Sequence, residues 1–252
     1  MLSCAIAVMA KASAAGRTKT RLVPPLTYDE AADLNTAFLR DVADNVLAAG
    51  SLADVTGWMA YAPAGAEGFF QTHIPATIGL IETVKPKFGA CLFHALSSLL
   101  EAGHRAVCLL NSDSPTLPVG YLVAAATALA SPGDRVVLGP STDGGYYLIG
   151  LKQPHRDLFE DIDWSTERVF RQTLAKCAAA RLPVFELPAW YDVDDVGALR
   201  VLKGELFDGR PFRTSGSKPT SATWTRRYLS ELLEGAELAD RLGLSRPSSR
   251  VA

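Results

Sequence analysis

A chain of 252 residues, 48% hydrophobic with a formal net charge of −2, is long enough for one large α/β domain or two small ones. Near-neutral charge argues against a nucleic-acid binder held by a general basic field, and no run approaches the ~20 apolar residues a membrane span needs. Cys4, Cys91, Cys108 and Cys177 lie far apart, which suits reduced, buried thiols rather than disulfides or zinc. Met1 to Ala10 lack the basic n-region of a signal peptide, so the chain reads as soluble and cytoplasmic.

Cys4 to Met9 reads as a first strand, followed by a stretch from Ala10 to Leu22 that carries Lys11, Arg17, Lys19 and Arg21. Tyr28 to Ala49 predicts an amphipathic helix, with Thr27 as N-cap, Asp29 and Glu30 in the first turn and Gly50 as the stop. Its Leu34, Phe38, Val42 and Val46 recur at helical spacing and belong to a core. Val55 to Tyr61 is a second strand and Ile78 to Val84 a third, while Phe69 to Ile74 fits neither period. Ala90 to Leu100 is helical, closed by Gly103; His94 and His104 are isolated and take no role.

Ala106 to Leu110 is a short, wholly apolar run, the pattern of a strand buried on both faces. A helix from Val119 to Ala130, a turn at Ser131 to Asp134 and a strand from Arg135 to Leu138 follow. A helix from Arg168 to Ala180 is capped by Ser165 or Thr166, Pro183 to Leu187 forms the last strand, and Val196 to Phe207 is helical. Asp208 to Ala222 reads as linker, Thr223 to Leu242 as a helix bearing Leu229, Leu232, Leu233 and Leu238, and Ser245 to Ala252 as a disordered tail. That helix has two destinations, this domain or a partner. The organisation is thus a domain over residues 1–207 and an appendage over 208–252.

Four stretches carry chemistry, each with a plain structural alternative. Asp113 follows a strand at the carboxyl edge, where ligands bind in open α/β sheets, and a lone carboxylate there suits Mg²⁺ shared with phosphate oxygens. The alternative is a cap or an Asx-turn. Arg17, Lys19 and Arg21 can donate to phosphate and Gly16 can take a positive φ, although no Walker A spacing is present and a solvated loop is the alternative. Asp143-Gly144-Gly145 is either a hairpin turn or a place where backbone approaches a ligand. Asp192 and Asp194 point the same way from extended backbone and repel unless a cation compensates, the alternative being helix capping by Asp194 or Asp195.

With these residues in view, the chain resembles the GT-A-fold transferase-like family related to the molybdenum-cofactor and 2-phospholactate guanylyltransferases. The resemblance covers about residues 4–205. It rests on Lys19-Thr20-Arg21-Leu22, Ser112-Asp113-Ser114-Pro115-Thr116-Leu117-Pro118, Asp143-Gly144-Gly145-Tyr146-Tyr147-Leu148-Ile149-Gly150-Leu151, Asp163-Trp164-Ser165-Thr166 and Asp192-Val193-Asp194. It implies a GT-A, Rossmann-like three-layer αβα sandwich around a mostly parallel mixed sheet. It further implies a loop cradling nucleotide phosphates with Lys11, Gly16, Arg17, Lys19 and Arg21, and Mg²⁺ (or Mn²⁺) on Asp113, Asp192 and Asp194. Asp143, Gly144, Gly145 and Trp164 would line the acceptor pocket, with Asp113, Asp143 and Lys19 nearest the chemistry. Two departures stand out. The family's Lys-x-Pro-x-Pro-Gly is Lys11-Ala12-Ser13-Ala14-Ala15-Gly16 here, and its Gly-Asp-Leu-Gly-Glu-Arg-Met is Lys85-Pro86-Lys87-Phe88-Gly89-Ala90-Cys91-Leu92.

Three functions follow from that resemblance. The first is nucleotidyl transfer from a nucleoside triphosphate to a small phosphorylated acceptor, chemistry that needs positioning and charge neutralisation more than a protein nucleophile. The second is glycosyl transfer from a nucleotide sugar, with Asp143 as base. The third is a weakened nucleotide-binding or scaffold protein, which the altered segment from Lys85 to Leu92 favours.

Overall fold

The computed structural model describes residues 3–213 and 218–234, together with Leu238 and Arg241. Seven strands form one sheet in the order β3-β2-β1-β4-β6-β5-β7. These are β1 (Cys4–Lys11), β2 (Val55–Ala62), β3 (Gly79–Glu82), β4 (Ala106–Leu110), β5 (Val136–Pro140), β6 (Tyr146–Leu151) and β7 (Val184–Glu186). Only β6 runs antiparallel to its neighbours, β4 and β5; the other pairings are parallel. From β1 the sheet grows outward on one side to β2 and β3 and on the other to β4. The carboxyl ends of β1 and β4 therefore meet at the point where the strand order reverses, the position at which such sheets bind ligands.

Helices cover both faces, and the apolar alternation of the strands decides which. In β1, Ile6 and Val8 join the core with α1 (Tyr28–Gly50), α4 (Val119–Ala130), α6 (Val196–Phe207) and α7 (Thr223–Glu234). Ala5 and Ala7 face the opposite core, built with α3 (Phe88–Glu101) and α5 (Val169–Ala179). Every residue of β4 is buried, as a strand covered on both faces must be. This is the three-layer α/β sandwich expected from the sequence.

Thr27 and Glu30 close a reciprocal capping box on α1. Gly50, expected to stop that helix, is its last residue; Ser51 caps it. Phe69 to Ile74, without a clear period, lies on a short helix, α2 (Glu67–His73), that buries only Phe70. One buried position in seven is too few to leave a sequence signal. Ser165 and Thr166 do not cap α5. Arg168 holds that position, Ser165 sits at φ 64 one turn too early, and Thr166 Oγ1 instead accepts from the Arg168 amide at 3.3 Å. His94 pairs with Ser98 and His104 with Ser3, both as structural contacts.

The helix read as Thr223 to Leu242 is described to Glu234 as α7 and packs back on α1, with Leu229 and Leu238 buried. The Asp41 carboxylate accepts from the Trp224 and Thr225 amides at 2.9 and 2.8 Å. Arg40 lays its guanidinium over the Trp224 ring at 3.9 Å, a cation–π contact. The expected tail, Ser245 to Ala252, lies outside the described residues. Among the described residues, no helix is long and apolar enough to cross a membrane.

Candidate functional site

The sheet topology brings distant motifs to one edge. Lys11 ends β1, Asp113 follows β4, Asp143 lies between β5 and β6, and Asp192 and Asp194 follow β7. A cavity of about 760 Å³ opens there, within the range of small-molecule sites. Its wall includes Lys11, Arg17, Lys19, Arg21, Asp113, Asp143, Gly145, Trp164, Asp192 and Asp194. Of the residues singled out in the sequence, Gly16 and Gly144 alone stay off that wall and act through backbone shape.

The basic loop is an ordered turn. Lys11 Nζ donates to the Arg17 carbonyl at 3.0 Å, and Thr18 closes on Ala14 through both its amide and its hydroxyl. Gly16 supplies a φ of 71° at the tip. Arg17 and Arg21 remain exposed, whereas Lys19 is turned inward with its side chain only 5% exposed. The Lys19 ammonium lies 2.6 Å from Asp113 Oδ1 and 2.8 Å from Asp194 Oδ1, and donates to the Val193 carbonyl at 2.9 Å. Burial, the largest single influence, pulls the Lys19 pKa down, but the two carboxylates together outweigh it and raise it. Lys19 is therefore a fixed cation. Its φ of 51° costs a residue with a Cβ about 1–2 kcal/mol, offset by these contacts.

The two acid-bearing loops are stitched together. Val193 N donates to the Asp113 carbonyl at 2.9 Å, Ser114 Oγ to the Tyr191 carbonyl at 2.9 Å, and the hydroxyls of Thr116 and Tyr191 meet at 3.0 Å. From below, Asn45 Nδ2 donates to the Pro115 carbonyl at 3.1 Å, and Thr220 Oγ1 reaches the same carbonyl at 2.9 Å. Asp113 does not cap the next helix: Pro118 holds the N-cap of α4.

Capping does explain one acid of the Asp192–Asp195 run. Asp195 accepts from the Ala198 amide at 2.8 Å, which leaves Asp192 and Asp194 to the cavity. Asp192 accepts from Ser141 Oγ at 2.7 Å. Desolvation pushes its carboxyl up to about 6; the Asp143 and Asp194 charges add to this, and the Ser141 hydroxyl opposes it. Asp143 builds the turn that its Gly-Gly neighbours suggested, accepting from the Gly145 amide at 2.8 Å, and still lines the cavity. Gly144 sits at φ 91°, where a Cβ would fall 2.3 Å from the Glu167 carbonyl oxygen. That close approach locks the β5–β6 turn to the entry of α5, with Phe170 N donating to the Gly144 carbonyl at 2.9 Å.

Among the described residues, no group of three or more His, Cys, Asp or Glu side chains could hold a metal ion by itself. Asp113 and Asp194 nonetheless already clasp one cation, the Lys19 ammonium.

The other side of the cavity is aromatic. Phe88 and Trp164 meet edge to face, centroids 5.3 Å apart, and Tyr146 meets Trp164 at 6.3 Å in the same manner. Gly89 permits this: a Cβ there would fall 2.9 Å from Trp164 Nε1 and 2.2 Å from the Phe159 carbonyl. Asn111, Ser141, Tyr146 and Phe88 line the cavity but were not singled out as site residues in the sequence. Asn111 could have been, as a polar residue directly after an apolar strand. Phe88 lies in the segment that departs from the family pattern, and Ser141 carried no signal.

Comparison with known proteins agrees with this architecture. Residues 45–166, just under half the chain, match the family model described as "Uncharacterized protein conserved in bacteria (DUF2064)". No curated protein matches the chain. A candidate nucleotide-diphospho-sugar transferase from Desulfovibrio desulfuricans G20 is 28% identical and superimposes with a TM-score of 0.79, over 96% of this chain and 99% of that one. A CMP:2-keto-3-deoxy-manno-octonic acid synthetase complexed with CTP shares the fold at 13% identity and a TM-score of 0.52, over 82% of this chain and 100% of that one. A cytidylyltransferase from Leptospira borgpetersenii does so at 11% and 0.52, over 94% and 97%. The chain thus has the fold of nucleotide-diphospho-sugar transferases and cytidylyltransferases.

Proposed function

We propose that the cavity is the active site of a nucleotidyltransferase acting on a nucleoside triphosphate and a small phosphorylated acceptor. The observation that carries this reading is Lys19, a buried ammonium held between Asp113 and Asp194 where the sheet order reverses, with Lys11, Arg17 and Arg21 on the same wall. In the reaction an acceptor phosphate oxygen forms a bond to the α-phosphorus, the bond from that phosphorus to the bridging oxygen breaks, and pyrophosphate leaves. Arg17, Arg21 and Lys11 would hold the triphosphate from the loop shaped by Gly16, and Lys19, its three N–H groups given to Asp113, Asp194 and the Val193 carbonyl, would fix those two acids and lend its charge to the phosphates. Asp143, Gly145 and Trp164 would bound the acceptor, with Gly144 fixing the turn.

The donor set fits a hard divalent cation, Mg²⁺ or Mn²⁺. Asp113 with Asp192 or Asp194 would supply one or two carboxylate ligands, and phosphate oxygens and water would complete the shell. When bound, such an ion neutralises charge on the transferred and departing phosphates.

Glycosyl transfer from a nucleotide sugar is the second reading, favoured by the 28% identity to the Desulfovibrio protein. A thermal-shift panel of nucleoside triphosphates and nucleotide sugars, with and without Mg²⁺, tests both, since a ligand raises the midpoint as its excess over Kd grows. A triphosphate should stabilise wild type only with Mg²⁺, and Asp113→Asn should abolish that shift. Stabilisation by nucleotide sugars alone would move the second reading to the front. No shift with any nucleotide at millimolar concentration would sink both and leave a scaffold role.

A further inference from the structure

Behind the cavity wall, the two acid-bearing loops share an anchor that the proposed chemistry does not use. Glu205 stands on α6, a helix fixed in the core by the buried Leu202 and Leu206. Its Oε2 accepts from Tyr191 Oη at 2.7 Å and its Oε1 from the Phe212 amide at 3.1 Å. A carboxylate only accepts, so the Tyr191 hydroxyl gives its proton to Glu205. Tyr191 Oη, 3.0 Å from Thr116 Oγ1, is then the acceptor of that pair and Thr116 the donor. Burial first, and the Glu205 charge after it, raise the Tyr191 pKa, which keeps the hydroxyl protonated. The relay therefore runs one way, from Thr116 through Tyr191 to Glu205. Trp190 and Phe212 pack against the Tyr191 ring, centroids 5.8 and 4.8 Å away, and restrict its rotation. Phe212 belongs to the stretch that reads as linker in the sequence.

We infer that Glu205 is a positioning residue of the site, setting the spacing between the Asp113 loop and the Asp192–Asp194 loop through Tyr191 and Thr116. The inference rests on the transferase reading above for what the site binds. Tyr191 directly precedes Asp192, and Thr116 lies three residues past Asp113. The two loops converge on Tyr191: its carbonyl accepts from Ser114 Oγ at 2.9 Å and its hydroxyl from Thr116. Asn45 fixes the Asp113 loop to α1, and Glu205 fixes the Asp192–Asp194 loop to α6. Each loop thus has its own helix beneath it, and the Tyr191 hydroxyl is where the two supports meet. Lys19 registers the result, because one ammonium touches Asp113 at 2.6 Å and Asp194 at 2.8 Å. Separating the loops by about 1 Å would take one of those contacts out of hydrogen-bond range. A hard divalent cation, which demands near-ideal ligand placement, would depend on the same spacing. None of Glu205, Tyr191 and Thr116 lines the cavity, so their action on a ligand is indirect.

The test compares the full-length wild type with Glu205→Ala, Glu205→Gln, Tyr191→Phe and the double variant Glu205→Ala with Tyr191→Phe. Leu99→Ala, which opens a cavity in the α3 core, controls for lost stability alone. Reductive methylation with formaldehyde and borohydride, read by peptide mass spectrometry, reports how tightly Lys19 is held. Measured against exposed Lys85, its rate should rise about tenfold in Glu205→Ala and Tyr191→Phe and stay within about twofold in Leu99→Ala. Glu205→Gln, whose amide oxygen still accepts from Tyr191, should stay within about threefold of wild type. The double variant should be no more reactive than either single one, because both break one relay. Titration with ATP, CTP, GTP and UTP in Mg²⁺ should show the preferred triphosphate binding about tenfold more weakly in Glu205→Ala and Tyr191→Phe. Unchanged Lys19 reactivity in both variants overturns the inference, whatever their nucleotide affinity. So does Leu99→Ala as reactive as they are, or Glu205→Gln as reactive as Glu205→Ala. The expected rise in Lys19 reactivity with no triphosphate binding to wild type upholds the positioning role and removes the functional reading instead.

Discussion

The two sides of the cavity are finished to different degrees. On the charged side the inward-turned charges have partners: Lys19 binds two carboxylates and a carbonyl, and Asp192 holds a serine. On the aromatic side Asn111 Oδ1 and Tyr146 Oη are buried and unpartnered. Charges are costly to bury alone, so the chain must pair them before any ligand arrives; a neutral amide or hydroxyl can wait at a cost of about 1–3 kcal/mol. The difference separates a frame of paired charges from a wall of packed aromatic rings.

Breaking that frame should have the largest effect. Lys19→Met leaves Asp113 and Asp194 without their shared cation; we expect triphosphate affinity to fall by about two orders of magnitude and unfolding stability by about 2–3 kcal/mol. The stability figure allows for the half-exposed Asp194 carboxylate. Denaturant unfolding and nucleotide titration check it, and an unchanged urea midpoint would mean that the pairing is incidental.

Next comes the turn that joins the two sides. Gly144→Ala drives a Cβ into the Glu167 backbone from a positive φ, and should cost about 2–4 kcal/mol and weaken triphosphate binding. Tolerance of alanine with normal binding would show that the turn can shift without consequence.

A smaller, one-sided change sharpens the contrast. Asn45→Leu removes the buried hydrogen bond beneath the Asp113 loop and should cost about 1–2 kcal/mol. Triphosphate affinity should drop a few-fold. Unchanged triphosphate affinity would mean that the Asp113 loop holds its place without this hydrogen bond.

The smallest effect lies outside the cavity and calibrates the rest. Arg241, through its hydrogen bonds first and Thr27 after it, holds Glu30 below the ordinary glutamate pKa. A carboxylate lowered in the folded state contributes its stability in full above the unfolded value and loses it as pH falls through the native value. Glu30→Gln should therefore flatten the acid limb of stability below about pH 4.5, by less than about 1 kcal/mol. An identical pH profile would show that the Glu30–Arg241 pair contributes nothing measurable.

Local rules carried the elements a long way. The capping box at Thr27, the fully apolar β4 and the bounds of α4 and α6 each follow from interactions a few residues apart, which is why they were readable in the chain. The misread place, Ser165 or Thr166 as the cap of α5, is a terminus where one residue's conformation decides and neighbouring sequence weighs little.

By itself the sequence determined the α/β class, the order of every element but the short α2, and the acids and cations that meet at one sheet edge. Strand periodicity and the direction of a parallel sheet are enough for that. Only the tertiary structure decided which of those charges pair and which polar groups stay single. Lys19 reaches Asp194 across 175 positions of chain, and Tyr146 comes against Trp164 only once β6 and the entry of α5 have docked. Contacts of that separation depend on strand order and loop closure, which no local pattern encodes.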